Sequence, residues 1–165
     1  MSYTKQNFAD GNVLTAEHLN NMENALLSKW HGKKISVLGD SILYGVGLSD
    51  RVKENITTLL QNMTGATVTN YGISGTKVSG NASTAFHARF PDVSKNADLT
   101  IVFGGTNDYW HKATDIGDIS STDTNTFCGA INNIINYHCN NNKTNELLFV
   151  FPFSQAYGGT SCETD

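Results

Sequence analysis

Two periods run through the hydrophobic positions of the chain. Short apolar runs at residues 35–38, 97–103 and 147–151, and the short segment 67–71, are too brief for helices and read as strands. Around them the apolar positions recur at three- and four-residue steps. Residues 15–30 predict a helix capped by Thr15, with Leu14 and Leu19 placed as a hydrophobic staple. Leu19, Met22, Leu26 and Trp30 share its stripe, and Asn20, Glu23 and Asn24 lie off it. Residues 50–63 predict a second helix, capped by Ser49, with Val52, Ile56, Leu59, Leu60 and Met63 as its buried face. Thr64-Gly65 stops it. A short helix is expected over 82–90, anchored by Phe86 and Phe90. A longer one over 124–139 turns Phe127, Ile131, Ile134, Ile135 and His138 to the core. Residues 109–122 read as a polar loop, and Pro152 closes the last strand.

Strand and helix units that alternate in this way predict an α/β fold. The expected architecture is three layers, α/β/α, with a parallel sheet, right-handed crossovers and helices on both faces. The helix at 15–30 precedes the first strand, so the sheet does not need it. It reads as an extra element: a connector, an oligomerisation helix or a cover on the core. The chain therefore divides into an N-terminal helical segment, 1–32, and an α/β domain, 33–165.

Composition narrows the partners. The 165 residues carry a net charge of -4 and no basic cluster, which argues against nucleic acid and against an electrostatic membrane anchor. No apolar run reaches the ~18 residues needed to span a bilayer, and residues 1–8 lack the apolar core of a secretory signal. The expected location is cytoplasmic or virion-associated. The three cysteines lack metal-site spacing. Cys128 and Cys139 fall on one face of a predicted helix but about 16 Å apart, too far for a disulfide. They read as free thiols packed in the fold, and no metal or cofactor is expected.

Three of the predicted strands end in small, polar turns: Gly39-Asp40-Ser41, then Gly72-Ile73-Ser74, then Gly104-Gly105-Thr106-Asn107-Asp108. In a parallel sheet these turns share one edge and can converge on a cleft. Acyl transfer needs a nucleophile and donors aimed at the developing oxyanion. Ser41 can be the nucleophile. The backbone N–H groups of Ser41 and Gly72 and the side-chain amide of Asn107 can be the donors. Gly39 is expected to take backbone angles that other residues resist, and a glycine at 72 lets backbone approach a substrate. Asp40 and Asp108 are read as supporting residues, with Asp108 bracing the turn by hydrogen bonding. The Gly45-x-Gly47 pair is no dinucleotide fingerprint, because the third glycine and the later acidic residue are missing.

In these blocks the chain resembles the SGNH/GDSL hydrolases, a flavodoxin-like superfamily of esterases, lipases and carbohydrate deacetylases. Gly39-Asp40-Ser41 fits the nucleophile block, with Ile42 in place of the leucine of the family's name. Asn70-Tyr71-Gly72-Ile73-Ser74-Gly75 fits the glycine block, and Gly104-Gly105-Thr106-Asn107-Asp108 the asparagine block. The resemblance covers roughly residues 33–153. It implies a serine ester hydrolase working through an acyl-enzyme, with Ser41 as nucleophile and Ser41, Gly72 and Asn107 as the oxyanion hole.

The family takes its general base from an Asp-x-x-His block after the last strand, and no histidine follows Phe153. The domain thus reads as lacking its last elements, and the chain is expected to be inactive or very slow. Asp108-Tyr109-Trp110-His111 repeats the Asp-x-x-His spacing at the edge that carries Ser41, which makes His111 a candidate substitute base; the other reading is a loop histidine beside an aromatic pair. A separate stretch, residues 8–26, resembles a segment of phage tail and baseplate proteins. It implies a carbohydrate O-acetyl ester as substrate or, as the rival reading, a non-catalytic structural or glycan-binding module of a phage-type appendage. The extra N-terminal helix is where an oligomer would be expected to form.

Overall fold

The computed structural model describes residues 15–17, 29–110, 114–142 and 144–151. Most of the predicted N-terminal helix, and the whole of residues 8–14 and 152–165, lie outside them, as does His111.

Four strands, β1 (Lys34–Gly39), β2 (Thr67–Gly72), β3 (Leu99–Phe103) and β4 (Glu146–Val150), form one parallel sheet in the order β2-β1-β3-β4. Between β1 and β2 run α1 (Ser41–Tyr44), α2 (Arg51–Glu54) and α3 (Ile56–Thr64). The helix α4 (Phe86–Ser94) joins β2 to β3, while α5 (Thr106–Trp110) and α6 (Phe127–Asn141) join β3 to β4. This is the expected flavodoxin-like α/β arrangement, with helices on both faces of a parallel sheet.

The central strand shows why its sequence is an unbroken apolar run. Ile35 and Val37 enter one core cluster with Leu43, Ala66 and Leu99, and Leu60 of α3 and Trp30 pack against it. Leu38 enters the other, with Val78, Phe86, Phe90, Val102 and Ile134, under α4 and α6. Both faces are buried, so the alternation of a half-wet strand disappears. At the edge, β2 is mostly exposed, which fits its polar sequence Thr-Val-Thr-Asn-Tyr-Gly.

The helices depart from expectation in three places. The single helix over 50–63 is two, because Asn55 is extended (φ -72°, ψ 156°) and its Oδ1 accepts from Thr58 N at 2.9 Å, capping a new start. The restart rotates the stripe. Thr57 and Thr64 are buried, with Leu60 half-buried between them, while Val52 and Met63 stand 78% and 80% exposed. The cap of α2 is Asp50, not Ser49: its Oδ1 accepts from Val52 N and Lys53 N. Around Phe86 and Phe90, both fully buried, α4 starts later than predicted and runs past Pro91 to Ser94. In α6 the fully buried residues are Gly129, Ala130 and Ile134, Phe127 and Ile131 pack against the core as expected, and Ile135 is exposed. Cys128 and Cys139 are free thiols; Cys139 is exposed and packs into no core.

Candidate active site

The register sets the site. Gly39 pairs with Gly72 on one side and with Phe103 on the other, so β1, β2 and β3 end level. Ser41 comes two residues past that line, Gly75 three, and Asn107 four.

The nucleophile turn is tight. Asp40 caps α1, its Oδ1 accepting from Ile42 N at 2.9 Å, and Ser41 is the first helical residue. Gly39 is required by close approach, not by unusual backbone angles: a Cβ there would lie 2.5 Å from Leu43 Cβ and 3.0 Å from Phe103 O. Ser41 is half-buried, and neither its N–H nor its Oγ hydrogen-bonds within the described residues. The backbone donor and the hydroxyl are both available to a ligand.

The glycine block divides its tasks differently from the sequence reading. The N–H of Gly72 donates to Asn70 Oδ1 at 2.8 Å. A Cβ on Gly72 would fall 2.5 Å from the backbone N of Tyr44, so this glycine lets β2 lie against α1. The same Asn70 side chain donates its Nδ2 to Leu43 O at 2.8 Å and ties β2 to the nucleophile helix. Sequence reasoning gave Asn70 no role; an amide two residues before a strand-ending glycine was the available signal. Gly75, in contrast, has φ +78°, open space where a Cβ would stand, and an N–H without an acceptor among the described residues.

The asparagine block holds the next loop. Asn107 donates Nδ2 to Thr76 O at 2.8 Å, which spends one of its two amide hydrogens. Asp108 is buried and accepts from Val78 N at 2.8 Å, from Ser79 N at 3.1 Å and from Ser79 Oγ at 2.5 Å. Its carboxylate is fully engaged as a brace. Gly104 makes room for Phe86, whose ring would lie 2.4 Å from an added Cβ. The expected turn at Thr106–Trp110 is the helix α5.

Electrostatics concentrates on Asp40. Burial pushes its carboxyl above the usual range, the Ile42 N–H opposes that, and the nearby Asp108 charge adds to the rise. Its Oδ2 is buried with no hydrogen-bond partner among the described residues. The described histidines do not bond Ser41. His87 Nε2 meets Gly80 O at 2.8 Å, His138 packs its ring on Phe90, and His31 is exposed. His111 and His18 lie outside the described residues. No group of three metal-ligating side chains occurs among the described residues, and no described helix is long and apolar enough to cross a membrane.

A parallel flavodoxin-like sheet with a capped serine turn, a glycine turn and an asparagine helix at one edge defines an SGNH-type α/β hydrolase fold. Residues 37–146 match the model of the GDSL-like Lipase/Acylhydrolase family, and the chain belongs to that family. A crystal structure of a protein from Lactobacillus plantarum is 28% identical, with a TM-score of 0.66 over 78% of this chain and 61% of that one. A Bacteroides ovatus protein described as a GDSL-like lipase shares the fold at 21% identity, TM-score 0.62, covering 76% of this chain and 75% of that one. A Bacteroides uniformis protein described in the same words aligns at 22% identity and TM-score 0.56, over 76% and 74%. The chain thus spans about three fifths of the length of the Lactobacillus plantarum protein. No curated protein matches the chain in sequence. The family match begins after residues 8–26 and leaves the likeness to tail proteins outside it.

Proposed function

We propose that the chain is a serine ester hydrolase that cleaves acyl esters at Ser41. Ser41 Oγ attacks the ester carbonyl carbon, and the carbonyl electrons move onto oxygen. Collapse of that tetrahedral intermediate expels the alcohol and leaves an acyl-enzyme, which water then hydrolyses to the acid. The oxyanion is held by the Ser41 N–H, by the second amide hydrogen of Asn107, and by a glycine N–H. Gly75 replaces Gly72 in that last role, because the Gly72 N–H is already given to Asn70 while that of Gly75 is free among the described residues. Asp40 and Asp108 support the site from behind.

The observation that carries the reading is the free N–H and hydroxyl of Ser41 at the level edge of the sheet. His111 is the base we assign. No described histidine bonds Ser41. For the substrate we take a carbohydrate O-acetyl ester, on the strength of the tail-protein resemblance of residues 8–26. The rival reading, a structural or glycan-binding module without turnover, is an outcome of the same test.

The test is hydrolysis of p-nitrophenyl acetate by the parent chain and by Ser41→Ala. The Ser41→Ala rate falls to the level of buffer alone. A variant as active as the parent removes Ser41 from the chemistry. A parent with no activity over buffer leaves the binding-module reading.

A further inference from the structure

One cation near the site has no carboxylate partner among the described residues and instead donates four hydrogen bonds. Arg89, on α4, is half-buried, and burial lowers its pKa from the ordinary value. Its guanidinium lies 5.4 Å from the centroid of the buried Phe86 ring. Its donors fan out to four segments. Nη1 donates to Tyr71 O at 2.8 Å, and Nε to Thr84 O at 2.9 Å. Nη2 reaches both Gly39 O and Thr76 Oγ1 at 3.4 Å.

These acceptors are the ends of the site's own parts. Gly39 O immediately precedes the Asp40-Ser41 turn, and it also accepts from Ile73 N at 3.0 Å. Tyr71 O belongs to the penultimate residue of β2, just before the glycine turn. Thr76 closes that turn, and its carbonyl is the one that holds Asn107. One planar group therefore spans the nucleophile strand, the glycine turn and the start of α4. A planar fork with five N–H groups can serve several carbonyls at fixed angles. A lysine ammonium keeps the charge but cannot reach three carbonyls in different directions.

We propose that Arg89 is a positioning residue of the Ser41 site, setting the spacing between the nucleophile turn and the glycine turn. The inference rests on the ester-hydrolase reading. Arg89 touches no substrate; it acts through Gly39, Tyr71 and Thr76. Small displacements of reacting groups lower turnover steeply while leaving ground-state binding nearly unchanged.

The test uses the full chain as parent, Ser41→Ala, Arg89→Lys and Arg89→Ala, with p-nitrophenyl acetate kinetics and hydrogen–deuterium exchange. Both Arg89 variants lose about 10- to 100-fold in kcat, with KM held within about twofold. Millimolar guanidinium restores part of the Arg89→Ala rate and ammonium does not. Exchange quickens over residues 39–42 and 71–79 and stays at the parent level in β3 and α6. An Arg89→Lys variant with the parent kcat overturns the proposal. So does a loss of activity accompanied by faster exchange throughout the chain, which makes Arg89 a folding residue only. If the parent and Ser41→Ala do not differ, the hydrolase reading fails by itself, and exchange alone decides on Arg89. Unchanged exchange over 71–79 in Arg89→Lys then refutes the clamp, and faster exchange confined there upholds it.

Discussion

Residues at the sheet edge are chosen as much for what they make room for as for what they donate. Gly39, Gly72 and Gly104 each stand where a Cβ would strike a neighbour at 2.5 Å or less. None of the three has positive φ; that conformation belongs to Gly75 and Gly105. A sequence shows a glycine but not which of these needs it meets, so the roles of Gly72 and Gly75 could not be told apart from the motif. Asn70 escaped notice for a related reason: its bond to Leu43 spans 27 positions, which no local pattern reports. Asp40 yields a prediction at this scale. An acid whose folded-state pKa is raised holds its proton more tightly folded than unfolded. Stability then falls as pH rises from the unfolded value of about 4 through the folded value, and the cost is constant above it. Asp40→Asn keeps an oxygen for Ile42 N and removes the buried charge. The gap in urea midpoint between Asp40→Asn and the parent should therefore widen in favour of the variant from about pH 4 upward and then level off. A gap independent of pH would mean that Asp40 is not destabilised as a carboxylate.

At the level of elements, the strands were legible and the helix faces less so. β1 and β3 are apolar runs that meet glycine, at Gly39 and Gly104, while β2, polar in sequence, ends on Gly72 and β4 runs into Pro152. The run from Val52 to Met63 offered apolar residues at helical spacing, which concealed the extended residue at Asn55 that resets the phase. Tertiary packing then selected Thr57 and Thr64 for burial, where their small side chains fit, and left Val52 and Met63 in water. The cap itself is testable. Asn55→Ala removes the acceptor used by Thr58 N and by Thr57 Oγ1. It should lower unfolding stability by about 1 kcal/mol, read from the denaturation midpoint. A change of under ~0.2 kcal/mol would show that the break between α2 and α3 does not depend on this side chain.

For the molecule as a whole, the parallel order β2-β1-β3-β4 brings together three segments that are separated in sequence by about thirty residues each. That convergence could be read in advance, because alternating strands and helices force a parallel sheet and a parallel sheet puts every strand-to-helix turn on one edge. What each side chain does with its hydrogens could not. Arg89 lies in the middle of a helix and carries no motif, yet it donates to Thr84, Tyr71 and Gly39, which are distant or separate in sequence. The central claim is that Ser41 is the group that takes the acyl chain. The most direct measurement is peptide mapping by mass spectrometry after brief exposure of the chain to p-nitrophenyl acetate and acid quench. An added acetyl group is expected on the peptide containing Ser41 and is absent in Ser41→Ala. An acetyl group found only on lysines or other surface nucleophiles, equally in both proteins, would contradict it.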